Sequence, residues 1–263
     1  MGNIHSPILL ALIGAGFTFC ATVIGSAAVF FVKDQSKGNT QKIFLGFASG
    51  IMMASAVWSL LLPSISLAAE QGLIRWLPPA VGFLAGGLFL FLLDKLLPHQ
   101  HTKAASPEGR KSSLPKSTLF LLGATLHNIP EGMAIGLAFA LAATSKTALT
   151  SALVLALGMA LQNIPEGATI SIPLQSEGFS KGKAFAIGAA SGLVELISAI
   201  VGAALSVSIA SMMAYLLSFA AGAMIYVVID ELVPEAHDSH TNLGTLGALL
   251  GFAIMMVLDV AFS

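Results

Sequence analysis

The chain alternates long apolar runs with short polar breaks. Eight stretches, roughly 7–32, 43–69, 77–97, 118–143, 147–174, 184–208, 211–234 and 243–262, are each mainly apolar. A helix needs about 20 such residues to cross a bilayer. The pattern therefore predicts an all-α membrane protein with eight transmembrane helices, forming one transmembrane domain over residues 1–263. The first run, Ser6 to Val32, is too long for a signal-peptide core and lacks a basic start, so it is expected to remain as the first span. Only "PHQHTKAASPEGRKSSLPKS" (98–117) is both long and polar, and it reads as a mobile loop.

A second pattern lies within the apolar runs. "GFASGIMMASAVWSLLLP" (46–63) in the second span resembles "SFAAGAMIYVVIDELVPE" (218–235) in the seventh, with Phe47, Ala48, Gly50 and Met52 against Phe219, Ala220, Gly222 and Met224. A shift by an odd number of spans gives the two copies opposite orientations. This predicts an inverted repeat of helices 1–3 and 6–8 around a central fourth and fifth helix, a 3+2+3 arrangement of the kind common in transporters.

Composition narrows the class. The 263 residues are 56% hydrophobic and only 10% charged, with a mean hydropathy of +0.88, whereas a soluble domain carries about 25% charged residues. A net charge of −1 offers no basic face for nucleic acid. Cys20 is the sole cysteine, which rules out a disulfide framework and a thiolate metal cluster. The basic residues are unevenly placed. Lys33, Lys37, Lys42, Lys95, Lys103, Arg110, Lys111, Lys116, Lys181 and Lys183 flank the odd-numbered connections, and only Arg75 and Lys146 flank the others. By the positive-inside rule both termini are expected outside the cytoplasm and the 98–117 loop within it.

The candidate chemistry sits in a repeated hexapeptide, "HNIPEG" (127–132) in the fourth span and "QNIPEG" (162–167) in the fifth. Residues four apart share a helix face, so His127 adjoins Glu131 and Gln162 adjoins Glu166. Asn128 and Asn163 lie three residues before the same carboxylates. Pro130 and Pro165 have no N–H, which deprives the Leu126 and Leu161 carbonyls of their partners and predicts interrupted helices. Such interruptions are tolerated at membrane depth only against protein or a water-filled cavity. A carboxylate at the bilayer centre costs at least about 2.5 kcal/mol, and Glu195 in "SGLVELISAI" adds a third. With no Lys or Arg at mid-span, these groups require protons or a bound cation. An imidazole and amide oxygens beside them suit a divalent transition metal.

With these stretches, together with "FAAGAMIYVVIDELVPEAH", the chain resembles the ZIP (Zrt/Irt-like) family of divalent-metal transporters over nearly its whole length, most closely the GufA-like bacterial branch. The resemblance implies eight helices in a 3+2+3 fold, both termini outside, and a metal site between the fourth and fifth helices. Carried over position by position, it makes His127, Asn128, Glu131, Gln162, Asn163, Glu166 and Glu195 the metal ligands. Some relatives have aspartate where Asn163 stands, so a single site is better supported here than a two-metal centre. The implied cargo is Zn²⁺, with Cd²⁺, Fe²⁺, Mn²⁺ and Co²⁺ as further divalent ions, moved into the cytoplasm across a bacterial inner membrane. A homodimer in membrane lipid is implied as well. No catalytic cofactor is expected.

Other polar positions leave two readings each. Asp230, Glu231 and Glu235, with His237 and His240, form either an exit path at the end of the seventh span or a solvated helix end. Ser55 and Ser59 share a face with Met52 and either line the route or serve packing. Asp94 beside Lys95 reads as an interfacial pair, Asp259 as an entrance group or a helix end, and His99 and His101 as part of a plain flexible loop. Two rival functions are an intramembrane metal-dependent hydrolase and a metal sensor without transport. The first needs more deep histidines than His127 alone, and neither needs two-sided symmetry.

Overall fold

The computed structural model describes residues 6–31, 38–99, 109–143, 146–237 and 241–262. Lys33, Lys37, His101, Lys103 and His240 lie outside them. The chain forms helices α1 (Pro7–Phe31), α2 (Asn39–Glu70), α3 (Leu77–Leu96), α4 (Lys116–Ala142), α5 (Lys146–Ser176), α6 (Lys181–Ser208), α7 (Ala210–Ala236) and α8 (Leu243–Phe262). Among the described residues, seven of these are long and apolar enough to cross a membrane. The exception is α4. Its 27 residues are ample in length, but His127, Asn128 and Glu131 fall in its middle and dilute its hydropathy.

The outward faces carry Ile13 and Ile24 on α1, Leu84 on α3, Ile197 and Val201 on α6, and Leu246, Leu249 and Val260 on α8, all exposed. So continuous an apolar surface needs hydrocarbon around it. The chain is an integral membrane protein.

Two helices contain π turns, Ala56–Leu61 in α2 and Val228–Leu232 in α7. Each runs into a proline, Pro63 or Pro234. A proline ring crowds the carbonyl four residues back and offers it no N–H, and the wider turn absorbs the mismatch. The Leu62 N–H bonds to the Val57 carbonyl, and the Val233 N–H bonds to the Val228 carbonyl. Both reach back five residues rather than four.

The helices pack mainly in pairs: α2 with α8, α3 with α7, α4 with α6 and α1 with α5, while α4 also meets α5 and α1. The first two pairs are built on glycine facing backbone. Gly82 and Gly86 of α3 lie against the carbonyls of Tyr215 and Phe219 of α7, and Gly247 and Gly251 of α8 lie against those of Ile43 and Phe47 of α2. In the opposite sense, Gly222 of α7 faces the Phe83 carbonyl and Gly50 of α2 faces the Ala248 carbonyl. The α7 positions follow their α2 counterparts by 172 (215 minus 43, 219 minus 47, 222 minus 50). The α8 positions follow those of α3 by 165 (247 minus 82, 248 minus 83, 251 minus 86). The two pairs therefore use one contact scheme twice, and it coincides with the 46–63 and 218–235 match.

One loop expectation changes. His99 is fully buried rather than part of a flexible segment. Its Nε2 lies 3.0 Å from Asp94 Oδ1, because a buried imidazole needs a polar partner and Asp94, itself buried at the end of α3, supplies one. Asp94 also lies 4.0 Å from Lys95.

A side chain at Gly222 has nowhere to go, since its Cβ would lie within 3 Å of three backbone atoms of Phe83, whereas Gly16 faces open space. Overpacking of this kind costs about 1–3 kcal/mol, so Gly222→Val is expected to lower the unfolding midpoint in detergent by roughly 3–10 °C. Gly16→Ala should leave it unchanged. A thermal-shift series on the purified protein checks both.

Candidate metal centre

Both hexapeptides lie halfway along their helices, α4 and α5, which pack against each other. Neither proline ends its helix. α4 continues through Pro130 and α5 through Pro165 and Pro173, so the expected interruption amounts to missing N–H groups in otherwise continuous helices. Close packing fixes each to a neighbouring helix. Gly132 lies against the Glu195 carbonyl of α6, and Gly167 against the Thr22 carbonyl of α1.

The asparagines tie the hexapeptides to the same neighbours. Asn128 Nδ2 donates to the Ser191 carbonyl of α6 at 3.0 Å, and Asn163 Nδ2 donates to the Thr18 carbonyl of α1 at 3.3 Å. Just as 128 and 163 are 35 apart, so are 132 and 167. Their acceptor carbonyls are 173 apart in both cases (191 minus 18, 195 minus 22).

The carboxylates lie between these anchors. Gln162 Nε2 donates to Glu131 Oε1 at 2.5 Å. His127 bridges two helices, with Nε2 2.9 Å from Glu166 Oε1 and Nδ1 3.2 Å from Glu231 Oε2. Glu195 Oε1 lies 2.5 Å from Thr18 Oγ1, and Glu195 Oε2 accepts from Asn163 Nδ2 at 2.8 Å. Asn128, Glu131, Gln162, Asn163 and Glu195 are at most 1% exposed, and His127 is 7% exposed. Three of the buried oxygens have no donor: Glu131 Oε2, Gln162 Oε1 and Asn163 Oδ1. A buried acceptor without a donor is costly unless a proton, a water or a cation meets it. Among the described residues no three His, Cys, Asp or Glu side chains already form a metal-holding group. A bound ion therefore has to recruit the amide oxygens or draw a carboxylate away from His127.

A cavity leads from this cluster to one end of the bundle. It is lined by His127, Glu131, Gln162, Glu166 and Glu231, and toward the ends of α5 and α7 by Thr169, Pro173 and Glu235, with Phe44 and Met52 of α2 beside them. Of the expected path residues, Glu231 and Glu235 thus border the cavity, and Glu231 also touches His127. Asp230 is exposed and borders a separate small cleft with Asp94 and Tyr226. His237 is exposed and does not line the cavity. Ser55 and Ser59 are buried off the cavity. Ser59 Oγ donates to Asp259 Oδ1 at 2.8 Å, which turns Asp259 inward rather than toward a surface entrance. Thr18 was not foreseen. Thr18, Thr22 and Ser26 stand four apart on α1 and are all buried, a stripe of hydroxyls visible in the sequence.

Known proteins resemble this chain over nearly its whole length. The profile of the family described as "ZIP Zinc transporter" matches residues 111–259. The protein named zinc transporter ZIP11 from Homo sapiens is 34% identical, over 97% of this chain and 98% of its own. Zinc transporter ZIPB from Bordetella bronchiseptica is 37% identical over 95% of this chain and 81% of its own. Zinc transporter GufA from Myxococcus xanthus is 34% identical over 92% and 94%. All three are named as transporters and none as an enzyme. On these matches, the chain belongs to the ZIP zinc transporter family.

Proposed function

We propose that the protein carries divalent transition-metal cations, Zn²⁺ foremost, into the cytoplasm, and that it holds each ion between α4 and α5. The observation that carries this proposal is the surplus of buried acceptors, Glu131 Oε2 and Gln162 Oε1 on residues that line a carboxylate-rich cavity, and Asn163 Oδ1 on the next residue of α5. The ion is bound by Glu131, Gln162, Asn163, Glu166 and His127, with Asn128 anchoring α4 to α6. This nitrogen and oxygen set suits Zn²⁺ and discriminates weakly against Cd²⁺, Mn²⁺, Fe²⁺ and Co²⁺.

In this proposal α4 is a span despite its polar centre, which makes eight spans. The paired contacts between α2 and α8 and between α3 and α7 are two copies of one unit, inverted about α4 and α5. The cavity mouth, where α5 and α7 end and α2 begins, lies at the end that collects most of the Lys and Arg. By the positive-inside rule that end is cytoplasmic. Glu231 and Glu235 then mark the way out. Toward the other end, α2 and α8 close on each other through Trp58 and Phe252, 5.5 Å apart edge to face, and through Ser59 and Asp259. Transport needs that contact to open while the cavity closes.

Reconstituted in liposomes, the parent is expected to accumulate Zn²⁺, with Cd²⁺ and Mn²⁺ competing, while Glu131→Ala and Glu166→Ala fall to the level of empty vesicles. Parent-like uptake by both variants would show the site to be misplaced, and a parent that binds Zn²⁺ without accumulating it would remove the transport function. The contact between His127 and Glu231 is tested separately by a double-mutant cycle on uptake rate. His127→Ala and Glu231→Ala are expected to couple by about 1 kcal/mol, roughly a fivefold departure from multiplicative effects. His127→Ala with Asp230→Ala should show none.

A further inference from the structure

We infer that Glu195 and Thr18 do not ligate the transported ion but aim the Asn163 carboxamide at it, so that each chain holds a single ion. The inference deepens the proposed function and rests on it.

Glu195 is fully buried, and both its oxygens are engaged, Oε1 with the Thr18 hydroxyl at 2.5 Å and Oε2 with Asn163 Nδ2 at 2.8 Å. Asn163 Nδ2 faces a second acceptor as well, the Thr18 carbonyl at 3.3 Å. A carboxylate oxygen and a peptide carbonyl both accept, so only the NH₂ end of the amide fits there. That choice turns Oδ1 away from both, where it is buried and lacks a donor. The amide thus has one end pinned by α6 and α1 and the other left with an unmet lone pair.

Glu131 differs from Glu195 in this respect. Gln162 occupies Glu131 Oε1, but Glu131 Oε2 has no donor. An ion joining Glu195 would have to displace the Thr18 hydroxyl, which could fall back on the Ala15 carbonyl, and one N–H of the Asn163 amide, which would be left unpaired in the interior. An ion joining Glu131, Gln162 and Asn163 displaces no donor and satisfies three acceptors. The supporting groups are held firmly. Thr18 is fully buried and its hydroxyl also reaches the Ala15 carbonyl at 3.1 Å, while the Glu195 backbone is clamped by Gly132. An aspartate at 163 would reverse this logic. It carries no N–H, and it would set a second carboxylate against Glu195, a pair that needs a proton or a cation between them.

The test is the number of Zn²⁺ ions bound per chain by the detergent-purified protein, measured by equilibrium dialysis and elemental analysis, with folding monitored by size exclusion. The parent is expected to bind one ion, and Glu195→Gln also one, since a carboxamide can still accept from Asn163. Thr18→Val should keep one ion but weaken it roughly tenfold, as loss of an outer hydrogen-bond partner does at other metal sites, and Thr18→Ser should restore it. Asn163→Asp should raise the count to two, and adding Glu195→Gln should return it to one. Two ions in the parent with one lost in Glu195→Gln would make Glu195 a ligand and overturn the inference. Parent-like affinity in Thr18→Val would remove the positioning role. A parent that binds no Zn²⁺ would defeat the metal site itself, and this inference with it.

Discussion

Everything near the middle of this bundle answers one electrostatic demand. Three glutamates sit in the middle of the bundle, and among the described residues no lysine or arginine is paired with them, so their oxygens call for a donor from another helix, a proton or a cation. The three are met differently. Glu166 takes the His127 imidazole, Glu195 takes a hydroxyl and an amide, and Glu131 takes one amide and keeps an oxygen in reserve. Because these donors come from α1, α4 and α5, the polar requirement also fixes which helices must be neighbours. Apolar packing alone would not choose them, since lipid tails are as apolar as leucine.

The outer pairs solve a different problem. Between α2 and α8, and between α3 and α7, most of the approach is backbone against backbone, with the Ser59–Asp259 bond a side-chain addition to the first pair. Glycine removes the Cβ, and helix backbones approach until weak Cα–H···O contacts and dispersion suffice. The division of labour is clear along the chain: polar residues register the central helices, and small residues register the peripheral ones.

Much of this was legible in the sequence because it is local. Span length, the hexapeptides and the 46–63 and 218–235 match all lie within stretches short enough to compare by eye, and the helices fall where the apolar runs do. The rest depends on which helices meet. Nothing near Glu231 in the sequence reveals that it reaches His127 rather than solvent, or that its neighbour Asp230 turns to a separate cleft. The π turn carrying both residues shifts the face that each presents, and a regular 3.6-residue wheel does not include that shift. His99 was misread for a related reason. Two histidines in a polar stretch look mobile until Asp94, five residues earlier, is seen to fold back onto the first. Thr18 was readable as part of a hydroxyl stripe, but only its contact with Glu195 gives the stripe a purpose.

The lining of the cavity carries a kinetic consequence. Glu131, Glu166, Glu231 and Glu235 border it against one imidazole and no ammonium or guanidinium group, so its potential draws cations inward and favours dwelling over departure. Capture from dilute solution is thereby made easy and escape made hard. His127, held between Glu166 and Glu231, occupies one oxygen of each. In the proposed transport, an ion leaving by this cavity parts last from the carboxylates at its mouth.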